Sequence, residues 1–166
     1  MNLQRKKAKT PIDQLDKTKA KYGEVKMIKV CFVCTGNTCR SIMAERLMKK
    51  NLKDRKIKDI SVSSKGLNAN GENITENAKN ALKFFKANAK DRKSIKLKKI
   101  DNNILYVTMT EGQKNQIKSN KVISFKALIG KEILDPYGQG EEVYLQTCND
   151  LIDGINILID KLIKWR

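Results

Sequence analysis

A chain of 166 residues has room for one core, and 40% hydrophobic content with only 5% aromatics predicts an aliphatic one. The absence of histidine excludes a Cys-His protease and removes the commonest general base and transition-metal ligand. The net charge is +17, from 29 lysines and 6 arginines against 18 acidic residues, with no apolar run of membrane-spanning length and no stretch resembling a secretory signal.

Residues 1–26 differ from the remainder. They are lysine-rich, Thr10-Pro11 breaks them early, and Ile12, Leu15 and Tyr22 are too sparse for a buried helix face. They read as a mobile extension, and residues 27–166 as the folded domain. Ile28 to Val33 is a first strand. Ser41 to about Lys53 is a helix with Ala44, Leu47 and Met48 on one face. Ile60 to Ser64 is a second strand. Thr75 caps a helix that runs through Ala78, Ala81, Leu82 and Phe85. Ile104 to Thr108 is a third strand, Glu111 to about Ser119 a helix, and Val122 to Phe125 a fourth strand. A long amphipathic helix, about Glu141 to Lys164, buries Leu151, Ile152, Ile155, Leu158, Ile159, Leu162 and Ile163 at spacings of three and four. Strands alternating with helices predict an α/β fold, a doubly wound sheet of four parallel strands with helices on both faces.

Ligands bind such sheets beyond the carboxyl ends of the strands. There, between the first strand and its helix, lies Cys34-Thr35-Gly36-Asn37-Thr38-Cys39-Arg40-Ser41. The first turn of a helix exposes unpaired N–H groups that attract anions. Arg40 adds a planar fork for phosphate oxygens, and a thiol among such groups is a nucleophile in waiting. The loop reads as a phosphate cradle with Cys34 at its base.

This loop resembles the phosphate loop of the low-molecular-weight protein phosphatases. Ile133-Leu134-Asp135-Pro136-Tyr137-Gly138 resembles that family's Asp-Pro loop, and weaker likenesses occur at Ser63–Gly66 and Val107–Thr110, in family order. The resemblance implies Cys34 as nucleophile, Arg40 as the phosphate clamp and Asp135 as the acid. Thr35, Gly36, Asn37, Thr38, Cys39 and Ser41 then line the substrate site, and Tyr137 stands at its mouth. Asn37 braces the loop, and Gly36 supplies a backbone shape that a larger residue resists. Family members acting on phosphotyrosine carry a bulky aliphatic residue where Thr38 stands, and often a second aromatic where Gly138 stands. Both positions here resemble the protein arginine phosphatase branch. That branch implies hydrolysis of phosphoarginine on proteins, opposing a bacterial arginine kinase in stress and protein quality control.

A tyrosine phosphatase is the alternative. Arsenate reduction fits less well, because no relay cysteine lies between Cys39 and Cys148. A basic nucleic-acid-binding protein is the remote alternative, but the lysines are spread along the chain and no aromatic or arginine cluster marks a reading surface. Expected partners are phosphorylated proteins, with no metal, cofactor or membrane. A monomer in a reducing cytoplasm fits the four irregularly spaced cysteines. Cys31 and Cys34 face opposite sides of a strand and cannot share a metal. Cys39 is open to two readings, a protective disulfide with Cys34 or a small packed residue. Cys148 reads as packing.

Overall fold

The computed structural model describes residues 8–15 and 26–166. A parallel sheet is formed by β1 (Ile28–Cys34), β2 (Ile60–Gly66), β3 (Ile104–Thr108) and β4 (Val122–Ser124), in the order β2-β1-β3-β4. The helices are α1 (Arg40–Asp54), α2 (Glu76–Phe84), α3 (Glu111–Asn115), α4 (Phe125–Ile129) and α5 (Glu141–Trp165). The first strand is central, so the loop that leaves its carboxyl end is flanked by the ends of β2 and β3.

The larger core lies where α1, α2, α4 and α5 meet one side of the sheet, and Phe32, Met43, Met48, Leu82, Phe125, Leu151 and Leu158 are fully buried in it. The predicted apolar stripe of α5 faces this core: Leu151, Ile155, Leu158, Ile159 and Leu162 are buried, and Ile152 and Ile163 are partly so. Gly154 is on the same stripe for a packing reason. A Cβ there would lie 2.4 Å from the Phe125 ring, so α5 approaches α4 only because residue 154 has no side chain. The other side of the sheet is thinner. Cys31, Val33 and Tyr106 are covered there by Ile117, which follows α3, and by Leu67, Leu97 and Ile100.

Three boundaries depart from the sequence expectation. The helix expected to reach Ser119 stops at Asn115, because Gln116 and Ile117 turn back on i→i+3 bonds to Gln113 and Lys114, and this drops the Ile117 side chain into the second core. The fourth strand ends at Ser124, not Phe125. Phe125 instead starts α4, an element the sequence reading lacks, which Gly130 closes in the left-handed conformation at φ +78°.

The third departure concerns the basic N-terminal segment. Residues 8–15 contain a single turn in which the Thr10 side chain caps the Asp13 N–H at 3.2 Å, while the Asp13 carboxylate accepts from the Thr10 N–H and hydroxyl. A spacing of three puts Ile12 and Leu15 on one side of the turn, and both are buried in the large core. Gln14 meets Asn120, just before β4, at 3.3 Å. Two apolar residues are too few for a helix face but enough to seat one turn. Tyr22 and most of the Arg5–Lys9 run lie outside the described residues. Among the described residues no helix is long and apolar enough to cross a membrane.

Candidate active site

Cys34 is the last residue of β1 and is 3% exposed. Its sulfur lies 3.0 Å from Ser41 Oγ and 3.2 Å from the backbone nitrogen of Asn37. Ser41 Oγ also accepts a hydrogen bond from Asn37 Nδ2 at 2.7 Å, so the hydroxyl links Asn37 to the sulfur. A backbone N–H inside the loop therefore donates to Cys34, and a hydroxyl from the first turn of α1 shares a hydrogen bond with it.

The curl of the loop is held by Asn37. Its φ is +57°, in the left-handed region that non-glycine residues adopt at some cost. The side chain offsets that cost with four hydrogen bonds. Its amide donates to Ser41 and, at 3.0 Å, to Ser64, and its carbonyl accepts from Arg92 Nη2 at 2.8 Å and from the Ile95 N–H at 2.9 Å. The expectation for Gly36 is corrected here. A Cβ on Gly36 would meet Thr38 Oγ1 at 3.6 Å, an ordinary contact, so the demanding backbone belongs to Asn37 and not to Gly36. The glycine that the loop does require is Gly66, where a Cβ would sit 2.7 Å from the Thr35 carbonyl oxygen.

A polar cluster absent from the sequence reading backs the loop. Arg92 donates to Glu45 Oε2 at 2.6 Å and to Ser64 Oγ at 2.9 Å, and Ser64 donates to the same Glu45 oxygen. Glu45 is 4% exposed and also meets Lys49 at 2.7 Å. Burial works to raise the Glu45 carboxyl, but Lys49, Ser64 and Arg92 outweigh it and hold the group below its ordinary value. A depressed carboxyl stabilises the fold above the unfolded value of about 4.3 and loses that contribution as pH falls through the folded value. Glu45→Gln is therefore expected to cost about 2 kcal/mol at pH 7, or roughly 4–8 °C in Tm. The gap in Tm from wild type should close below about pH 4, and calorimetry across pH checks it. A gap that persists unchanged in acid would remove the charge of Glu45 as its cause.

Two further braces reach the loop, one from α3 and one from the head of α2 together with α5. Gln113 Oε1 accepts from the N–H groups of Met109 and Thr110, closing a capping box at α3, and its amide donates to Thr35 Oγ1 at 3.3 Å. Cys39 precedes α1 with its sulfur 3.3 Å from Thr75 Oγ1 and 3.5 Å from the Tyr144 hydroxyl. Burial, then the Cys39 thiol beside it, push that hydroxyl up to about 12. All four cysteines are free. Burial likewise raises the Cys31 thiol to about 11 and the Cys148 thiol to about 12, which leaves both protonated and inert near neutral pH.

Arg40 opens α1 and is buried, with Nη1 donating to the Ile133 carbonyl at 3.0 Å and Nη2 3.7 Å from the Asp135 carboxylate. The two distant sequence signatures thus meet through one guanidinium. Asp135 is 56% exposed, and its other oxygen accepts from the Tyr137 N–H at 3.1 Å, so the carboxylate is aimed without being buried. Gln139 N–H closes the following turn on the Pro136 carbonyl at 3.0 Å. Gly138 sits in that turn at φ +77°, where a larger residue is disfavoured. Tyr137 stands on the rim, 70% exposed. Thr35 is exposed and Gly36 and Thr38 are half-buried at the mouth of the loop. Every predicted site residue therefore lies on the Cys34 loop, on the first turn of α1, or on the segment that Arg40 holds against them. Among the described residues no group of three or more cysteines and carboxylates is placed to hold a metal ion.

The loop thus carries a thiol within hydrogen-bond reach of Ser41 and Asn37, and the helix that follows it opens with a buried guanidinium paired to the exposed Asp135 carboxylate, a set of groups suited to phosphoryl transfer. Comparison with known proteins agrees. The family described as low molecular weight phosphotyrosine protein phosphatase matches residues 29–165. A low molecular weight protein-tyrosine-phosphatase, PtpA of Staphylococcus aureus, is 34% identical over 145 residues, covering 78% of this chain and 94% of that protein. The structure of the YwlE arginine phosphatase from Geobacillus stearothermophilus aligns at a TM-score of 0.71 with 31% identity, over 82% of this chain and 94% of its own. A low molecular weight protein tyrosine phosphatase from T. tengcongensis aligns at 0.72 with 31% identity, over 81% and 99%.

Proposed function

We propose that this chain, which belongs to the low molecular weight phosphotyrosine protein phosphatase family, hydrolyses phosphoarginine on proteins through a phosphocysteine intermediate. The Cys34 thiolate attacks phosphorus while the loop N–H groups and Arg40 hold the three equatorial oxygens. The P–N bond breaks as Asp135 delivers its proton to the leaving guanidine nitrogen. Water then attacks the phosphocysteine and gives its proton to Asp135. The P–S bond breaks, and phosphate and the Cys34 thiolate are released.

The observation that carries the substrate assignment is Thr38. It is half-buried at the mouth of the loop, with its hydroxyl 3.6 Å from where a side chain on Gly36 would begin. A phosphoguanidinium is planar and wide near its P–N bond and carries several N–H donors. Threonine leaves room for that group and offers it an oxygen; isoleucine would do neither. The likeness to a YwlE arginine phosphatase supports the same reading. Four free cysteines suit a reducing, cytoplasmic setting.

Phosphotyrosine is the second reading. It is favoured by the name of the Staphylococcus aureus relative and by the exposed Tyr137, which could pack on an aromatic substrate. Rates on matched phosphoarginine and phosphotyrosine peptides decide between them. Thr38→Ile should move the ratio toward phosphotyrosine by about tenfold or more. An unchanged ratio would remove Thr38 as the selecting residue.

A further inference from the structure

Beside the phosphate loop lies an open groove of about 590 Å³ whose rim carries Lys65, Lys96, Lys98 and Lys99, with Ile95 between them. The last three lysines are exposed, Ile95 is 45% exposed, and among the described residues none of the four ammonium groups has a carboxylate within ion-pair distance. Four like charges left unpaired along one groove make a field that a negative partner would neutralise.

The groove is built onto the phosphate loop. Cys34 pairs in register with Gly66, the residue after Lys65. Gly66 in turn bonds to the segment beyond it, through its N–H to the Ile95 carbonyl and its carbonyl to the Leu97 N–H, each at 2.8 Å. The Ile95 N–H reaches Asn37 of the loop itself. The groove wall therefore stands two strand spacings from the Cys34 strand, about 10 Å. An extended peptide covers that distance in about three residues.

We propose that this groove docks an acidic stretch of the phosphoprotein substrate, with Asp or Glu side chains about two to four residues from the phosphorylated one. The inference rests on the phosphatase reading but not on which phosphorylated residue is cleaved. A nucleic acid is the less fitting occupant: neither arginine nor any aromatic side chain lines the groove, so it offers no two-pronged phosphate contact and no stacking platform. Isolated exposed lysines select for charge and not for geometry, which is what an acidic peptide presents.

The test uses the full chain and two peptide series, phosphoarginine and phosphotyrosine, each with acidic, neutral or basic residues at the flanking positions. In both series kcat/KM for the acidic peptide should exceed that for the neutral one by about tenfold at low salt, and the advantage should shrink as salt approaches 1 M. The triple variant Lys96→Gln, Lys98→Gln, Lys99→Gln should abolish the advantage, and the corresponding triple Glu variant should reverse it. Both should hydrolyse p-nitrophenyl phosphate, which has no flanks, within twofold of wild type. Equal rates on acidic and neutral peptides, or an advantage that survives both variants, would overturn the proposal. So would inhibition by a single-stranded RNA oligonucleotide through these lysines without any effect of acidic flanks. Failure of the wild-type protein to hydrolyse p-nitrophenyl phosphate would be a distinct result, removing the phosphatase chemistry and this inference with it.

Discussion

Cys34→Ser is expected to abolish phosphatase activity, with a loss of at least about 10⁴-fold in kcat on p-nitrophenyl phosphate and on phosphopeptides. The substitution exchanges one atom in a site that is 3% exposed, so the fold and the hydrogen bonds to Ser41 and Asn37 have little reason to change. What changes is the nucleophile. A serine hydroxyl stays protonated near neutral pH, and with no histidine anywhere in the chain no imidazole can take its proton. The first bond to phosphorus is therefore not expected to form. Phosphate binding should persist, because Arg40 and the loop N–H groups are untouched, and calorimetric titration with phosphate separates this outcome from misfolding. Residual turnover above about one hundredth of wild type would take Cys34 out of the chemical step.

Asp135→Asn is expected to slow turnover by about 10²–10⁴-fold, the usual worth of a positioned acid. The effect should depend on the leaving group. A guanidine nitrogen needs the proton as the P–N bond breaks, whereas p-nitrophenolate leaves readily without it. The variant should therefore lose more on phosphoarginine than on p-nitrophenyl phosphate. Stability should hardly move, since the Asp135 side chain is 56% exposed and its 3.7 Å pair with Arg40 is a weak one. Equal losses on both substrates would argue that Asp135 acts through Arg40 and not as the proton donor. Normal turnover would remove it from the mechanism.

Much of this was legible in the residues because local physics decides it. The apolar run from Ile28 to Val33, the helix after Ser41 and the spacing of apolar residues in α5 each need only their own neighbours, and each appears within a residue or two of its expected place. The cap at Thr75 is equally local, with its side chain accepting from the Ala78 N–H as expected. The misreadings share a cause. The end of α3, the start of α4 and the seating of Ile12 and Leu15 are set by cavities that other parts of the chain create. Nothing within Glu111–Ser119 says that Ile117 has a core to fill on the far side of the sheet.

The same holds for the loop. Its composition announces a thiol, a guanidinium and hydroxyls at the head of a helix, and these follow from covalent order alone, because residues 34 to 41 cannot be far apart. The sequence by itself therefore determined the thiol, guanidinium and hydroxyls gathered at one helix head and the parallel α/β frame. Only the tertiary structure decided that Arg92, from a lysine-rich stretch 55 residues away along the chain, holds the Asn37 carbonyl. Only it decided that Glu45 and Ser64 complete that brace, and that Arg40 turns toward Asp135. The physical reason is range. Propensity, capping and periodicity act over one or two turns, whereas a buried charge is tolerated only where a partner has been brought to it, and the chain reveals that partner only once the sheet has closed.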